Sequence, residues 1–158
     1  MTEDAGTRRP LLGFVMRVLV WLPPAFALWY VAAPLLLWPV RIVVEGAARV
    51  GFADLVEALE AGGATLTFVT TLRPGLASAV SGQVTVDVDM RIYSYGMPLF
   101  AALVLAARER RWAPRLAAGY ALLVLIAAWG TLADFLKQVA ITSGPLIASQ
   151  TGFVPWQR

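Results

Sequence analysis

Neither cysteine nor histidine occurs in this chain, and lysine occurs once, at Lys137. Lacking Cys, the chain has no disulfide framework and no thiolate nucleophile. Lacking His, it has no Ser–His pair, no zinc-finger ligation and no His-ligated haem. Ser94 has no imidazole to activate it, and a Ser–Lys dyad with Lys137 has little to recommend it. Charge is also scarce: charged residues make up 15% of the 158 positions, where soluble domains carry about 25%. The net charge is +3, yet no basic stripe interleaves with aromatics, so nucleic acid is a poor fit. Nothing in the sequence calls for a cofactor or a bound metal.

What the chain has in excess is apolar surface. Hydrophobic residues account for 59% of it and the mean hydropathy is +0.69. One soluble core of this size cannot hide that much apolar area, so lipid is the expected solvent. Twelve Arg against one Lys, with abundant Ala, Leu and Val, points to a GC-rich bacterial genome.

Three apolar runs organise the sequence. Between Arg17 and Arg41 lie 23 uncharged residues that include Pro23, Pro24, Pro34 and Pro39. At 1.5 Å per residue this covers about 35 Å, enough for a hydrocarbon core of about 30 Å. Pro23 and Pro24 predict a kink, and Pro34 and Pro39 a frayed end, with Trp29, Tyr30 and Trp38 at headgroup level. Arg17 is expected to snorkel back to the near side of a span covering residues 11–43. Arg8, Arg9 and the Ala25-Phe26-Ala27 triplet also fit a cleaved signal, but the run continues well past Ala27, which favours a retained anchor. The second run, 92–107, has 16 residues and is short for a span, so a re-entrant segment is its rival. The third, 116–133, is 18 uncharged residues followed by Asp134.

Charge sets the orientation. Arg108, Arg110, Arg111 and Arg115 mark 108–115 as a cytoplasmic loop, and Arg8 and Arg9 put the N-terminal tail, 1–10, on the same side. The segment 44–91 then lies outside, as does the tail 138–158 after a third span over 116–137. Within the outside segment, Phe52, Leu55, Val56 and Leu59 recur at helical spacing opposite Asp54, Glu57 and Glu60. This predicts an amphipathic helix over 51–61, stopped by Gly62 and Gly63. Strands are predicted over 64–72, ending at a Pro74-Gly75 turn, and over 83–90, where Val84, Val86, Val88 and Met90 alternate with Thr85, Asp87 and Asp89. The fold class is thus an α-helical polytopic membrane protein with three transmembrane helices and a small extracytoplasmic α/β insert of one amphipathic helix plus two strands.

Few constellations could carry chemistry. Asp87-Val88-Asp89 has the D-x-D spacing of cation-binding transferases, but no third acid lies nearby and a solvent-facing strand edge explains it. Asp134 ends the third span, and an i,i+3 pair with Lys137 is the simplest reading. Ala102 with Ala106, and Ala117 with Ala121, are small-residue pairs that would let helices approach. The densest stretch is RIYSYGMP. Arg91, Tyr93, Ser94, Tyr95 and Gly96, together with Asp134, form the candidate partner-binding surface. Tyr93 and Tyr95 suit the headgroup belt, Gly96 a sharp turn, and Pro98 a first helical turn.

RVLVWLPPAFALWYVAAPLL, LVEALE, VDVDMRIYSYGMPLFAALVLA and LADFLKQVA together resemble the exosortase H-associated membrane proteins. The resemblance implies a bacterial inner-membrane accessory protein whose partner is an exosortase-type sorting enzyme that works through Cys, Arg and His. It carries no catalytic residues onto this chain, so none is assigned. It also leads one to expect a fourth apolar segment, where this sequence ends at GFVPWQR.

Overall fold

The computed structural model describes residues 4–71 and 85–142, with side chains described over 11–71 and 85–140. Pro74, Gly75, Val84 and most of the 138–158 tail lie outside the described residues.

The first apolar run forms three consecutive helices. Helix α1 (Asp4–Val31) passes through Pro23 and Pro24 without a break, and is followed by α2 (Ala33–Leu36) and α3 (Trp38–Gly51). Pro34 and Pro39 stand in the first turns of α2 and α3, where a missing N–H is not needed. The prolines at 34 and 39 therefore restart helices after each interruption. Helix α3 buries Val40, Val44 and Ala48 along one stripe, against α6. Beside that stripe lies an ion pair at i,i+4, with Arg49 Nη2 2.6 Å from Glu45 Oε1.

The expected helix over 51–61 is not there. Residues Val56–Gly62 form strand β1, which pairs antiparallel with β2 (Thr65–Thr70), and β2 pairs antiparallel with β3 (Thr85–Asp89). The insert is a three-stranded sheet in the order β1-β2-β3. Gly62 pairs with Thr65, so Gly63 and Ala64 make a two-residue hairpin loop, and Gly63 has φ +68°. A positive φ at the first loop position suits glycine and matches the twist of a tight hairpin. The glycines predicted to stop a helix turn a hairpin instead. Central strand β2 offers an open hydrogen-bonding edge that 51–61 satisfies only when extended. As an edge strand, β1 carries Glu57 and Glu60 and a register irregularity between Val56 and Ala58, features that discourage further pairing.

The predicted alternation of β3 holds over its described residues: Val86, Val88 and Met90 are buried while Thr85 and Asp87 are exposed. Leu66, Phe68 and Thr70 of β2 share that buried face. The sheet is fastened to the helices by Phe68, whose ring stacks on Phe135 at a 4.1 Å centroid separation, both side chains being fully buried.

After β3 the chain forms a short helix α4 (Arg91–Ser94), then α5 (Gly96–Ala106) and the long α6 (Trp112–Lys137), which continues into a π-helical turn (Gln138–Thr142). Ala102 and Ala106 are fully buried as the small-residue reading expects, but Ala117 and Ala121 are exposed. Gly119 takes the close-approach role on α6, because a Cβ there would run into the Phe100 ring. Tyr120 joins the two halves of the bundle, its hydroxyl donating to the Leu36 carbonyl at 2.6 Å.

Two helices are long and apolar enough to cross a membrane by length and composition, over Leu11–Val31 and Trp112–Ala140, while the apolar helix Arg91–Ala106 is shorter. Their outer surfaces remain apolar: Val20 is 70% exposed, Val31 79% and Trp129 76%. Surface of this kind is what a lipid-facing helix presents.

Candidate functional site

The RIYSYGMP stretch forms the corner where the sheet meets the helices. Strand β3 ends at Asp89, whose Oδ1 accepts the Arg91 backbone N–H at 2.9 Å and so satisfies one of the open donors of α4. Ser94 is buried, and its hydroxyl donates back to the Arg91 carbonyl at 3.2 Å. That bond closes the short helix and leaves Ser94 as a structural residue. Tyr95 keeps helical dihedrals (φ −56°, ψ −25°), so α4 runs almost directly into α5.

Gly96 therefore does not make the sharp turn expected of it. Its φ is ordinary; what it supplies is clearance, since a Cβ at that position would sit 3.1 Å from Leu123 Cδ2. Pro98 falls in the first turn of α5 as predicted. The two tyrosines separate. Tyr95 is 52% exposed, whereas Tyr93 folds inward over Gly130, where a Cβ would lie 2.5 Å from Tyr93 Cδ1. The Tyr93 hydroxyl lies near the Asp134 carboxylate.

Asp134 does not pair with Lys137. Its Oδ2 accepts from Gln138 Nε2 at 3.0 Å, and the Tyr93 hydroxyl stands nearby. The i,i+4 neighbour on the inward side of the helix has replaced the i,i+3 neighbour, because Lys137 is exposed while Asp134 is half-buried. Tyr93, Asp134 and Gln138 thus knit α4 to the far end of α6.

On the other side of α4, Arg91 meets the end of α1. Its guanidinium carbon stands 5.1 Å from the Tyr30 ring centroid, a cation–π distance. Next to it Trp29 packs at 5.4 Å from the Tyr95 ring and 6.0 Å from Phe26. Trp29, a residue expected at headgroup level, is only 5% exposed. Two buried donors here, Arg91 Nε and Trp29 Nε1, have no hydrogen-bond acceptor. Buried N–H groups in that state are uncommon, and each is costly.

The remaining candidates have local explanations. Asp87 Oδ1 accepts the Thr67 hydroxyl across the sheet at 2.6 Å, and Asp89 caps α4, so the D-x-D carboxylates serve different neighbours. Arg8 and Arg9 lie in the first turns of α1. Arg108, Arg110, Arg111 and Arg115 cluster at the α5–α6 turn, where Arg115 is ion-paired to Glu109. From Trp112 to Phe135, α6 spans about 35 Å at 1.5 Å per residue, so this Arg-rich turn and the sheet stand a bilayer thickness apart.

The structure thus brings Arg91, Tyr93, Ser94, Tyr95, Gly96 and Asp134 into one corner, and adds Trp29, Tyr30, Gly130 and Gln138. The aromatic pair at 29–30 carries a visible sequence signal, one that points to the membrane interface. Gly130, inside an apolar helix, carries none.

Comparison with curated proteins and with solved structures found no match. Over residues 8–158, nearly the whole chain, the sequence matches the family model described as exosortase H-associated membrane protein, and the chain therefore belongs to that family.

Proposed function

We propose that this chain is a non-catalytic integral membrane accessory protein of an exosortase-type envelope protein-sorting system. It spans the bacterial inner membrane three times with its N-terminus in the cytoplasm, and it binds the sorting enzyme or its substrate through the α4 corner. Support for the orientation comes from the Arg-rich α5–α6 turn, which the positive-inside tendency assigns to the cytoplasm, leaving the acidic sheet outside.

The observation that carries the docking role is the composition of the corner. Ile92 and Tyr95 are exposed by 56% and 52%, beside the unsatisfied donors Arg91 Nε and Trp29 Nε1. Aromatic and Arg side chains are the residues that most often anchor interfaces. Chemistry at the acids has less support, since Asp87, Asp89 and Asp134 are each held by a structural hydrogen bond.

Co-purification with the cognate exosortase tests this reading. An Ile92→Ser/Tyr95→Ala variant present at normal levels in the membrane is expected to recover about tenfold less enzyme, the loss of about one interfacial anchor. Asp87→Asn and Asp134→Asn are expected to leave substrate processing nearly intact. Undiminished co-purification of the corner variant, together with abolished processing in Asp134→Asn, would overturn the docking role in favour of catalysis.

A further inference from the structure

We infer that the cleft between α1 and the α5–α6 turn binds the phosphate group of an anionic phospholipid. The cleft has a volume of about 230 Å³ and is lined by Met16, Arg17, Val20, Trp21 and Arg108. It lies at the opposite end of α6 from the sheet, in line with the Arg-rich turn. No part of the α4 corner enters it.

Arg17 stands inside the apolar window Leu11–Val31, where an ionised side chain needs a partner. Its Nε donates to the Gly13 carbonyl at 2.9 Å, so the side chain runs back toward the helix N-terminus, as snorkelling requires. That bond orients the guanidinium and leaves its terminal nitrogens to other acceptors. Among the described residues no carboxylate pairs with Arg17 or with Arg108.

Arg108 supplies an independent sign. It sits just past the end of α5 with φ +50°, the position and conformation where helices usually place glycine. Its N–H donates to the Leu105 carbonyl at 3.3 Å, so the backbone performs the usual helix-ending bond. Glycine would make that bond without strain. The arginine there lines the cleft together with Arg17, and strain of this kind points from geometry to function. Two arginines around one cleft match the forked recognition of phosphate oxygens.

The walls favour a lipid over a free anion. Met16, Val20 and Trp21 are 59%, 70% and 42% exposed on the outer surface of α1, where they would contact acyl chain and glycerol. Inorganic phosphate gains nothing from such walls. Net charge selects among lipids: a zwitterionic headgroup brings its own cation to compete with the arginines, and an anionic one does not.

Native mass spectrometry of the full chain in detergent, loaded with phosphatidylglycerol or phosphatidylcholine, tests the assignment. Wild type is expected to retain phosphatidylglycerol about tenfold over phosphatidylcholine. The Arg17→Gln/Arg108→Gly variant is expected to bring the ratio near one. Arg108→Gly alone should fold at least as well as wild type, because it relieves the positive φ, and should lose part of the preference. Arg110→Gln removes an equal charge next to the cleft without touching it, and should leave the ratio unchanged. Equal retention of both lipids by wild type, a persistent preference in the double variant, or an equal loss in Arg110→Gln would overturn the site. Displacement of phosphatidylglycerol by millimolar inorganic phosphate would overturn the lipid assignment in favour of a free-anion site.

Discussion

Replacing Gly130 by alanine tests how the α4 corner is held. Alanine is normally the better helix residue, by about 1 kcal/mol in a helix interior. At Gly130 the added methyl would sit 2.5 Å from Tyr93 Cδ1, 2.8 Å from Cγ and 3.2 Å from Cβ. Rotation of the ring about the Cβ–Cγ bond moves Cδ1 but neither Cγ nor Cβ, so α4 itself must shift or Tyr93 must swing away from Asp134. Overpacking of this kind costs about 1–3 kcal/mol. Gly46 in α3 is the matched control, because nothing lies within 4 Å of its hypothetical Cβ. Helix propensity cancels between the two substitutions, so Gly130→Ala should be less stable than Gly46→Ala by about 1–3 kcal/mol. In thermal unfolding in detergent this is a separation of roughly 2–12 °C for a chain of this length. A second arm uses coupling: a Tyr93→Ala background removes the contacts at 2.5 and 2.8 Å and leaves only the 3.2 Å contact with Cβ, so Gly130→Ala should cost much less there. Equal midpoints for Gly130→Ala and Gly46→Ala, or the same cost with and without the Tyr93 ring, would refute the close packing of Tyr93 on α6.

Phe68→Ala should remove the stacked partner of Phe135 and destabilise the sheet–helix junction by about 3–5 kcal/mol, read as early proteolysis of the insert relative to the helices. Gly63→Val places a branched side chain at φ +68° and should weaken the β1–β2 hairpin by at least about 1 kcal/mol, measured by hydrogen exchange of the Thr67 and Val69 amides, which face β1. Tyr120→Phe deletes the hydroxyl that reaches the Leu36 carbonyl. A loss of about 0.6 kcal/mol is expected, the average for hydrogen bonds between membrane helices, in a detergent unfolding assay.

Much of this fold is legible in local sequence patterns, because some signals depend on nothing distant. The apolar runs announce helices whatever they pack on. Strand β3 is readable because period-two alternation over Thr85–Asp89 has one geometric meaning. Pro34 and Pro39 mark helix starts because a residue without an N–H costs least in a first helical turn. The missing Cys and His exclude whole chemistries by composition alone, since no fold can supply a thiolate or an imidazole that the chain does not contain.

What only the tertiary structure decided were choices among neighbours. The spacing of Leu55, Val56 and Leu59 satisfies a helix, but Val56–Gly62 is a strand because β2 offers it a hydrogen-bonding edge across a two-residue turn. Asp134 had Lys137 and Gln138 within reach along one helix, and the burial of α6 against α4 selected Gln138 and brought in Tyr93. Among the small residues of α6, Gly119 and Gly130 meet aromatic rings while Ala117 and Ala121 face outward, since the rotation of a uniformly apolar helix is set by what it packs against. Local periodicity reports what a segment is able to form. Which face is covered, and by whom, depends on residues far along the chain, and here those contacts assembled the corner around Arg91.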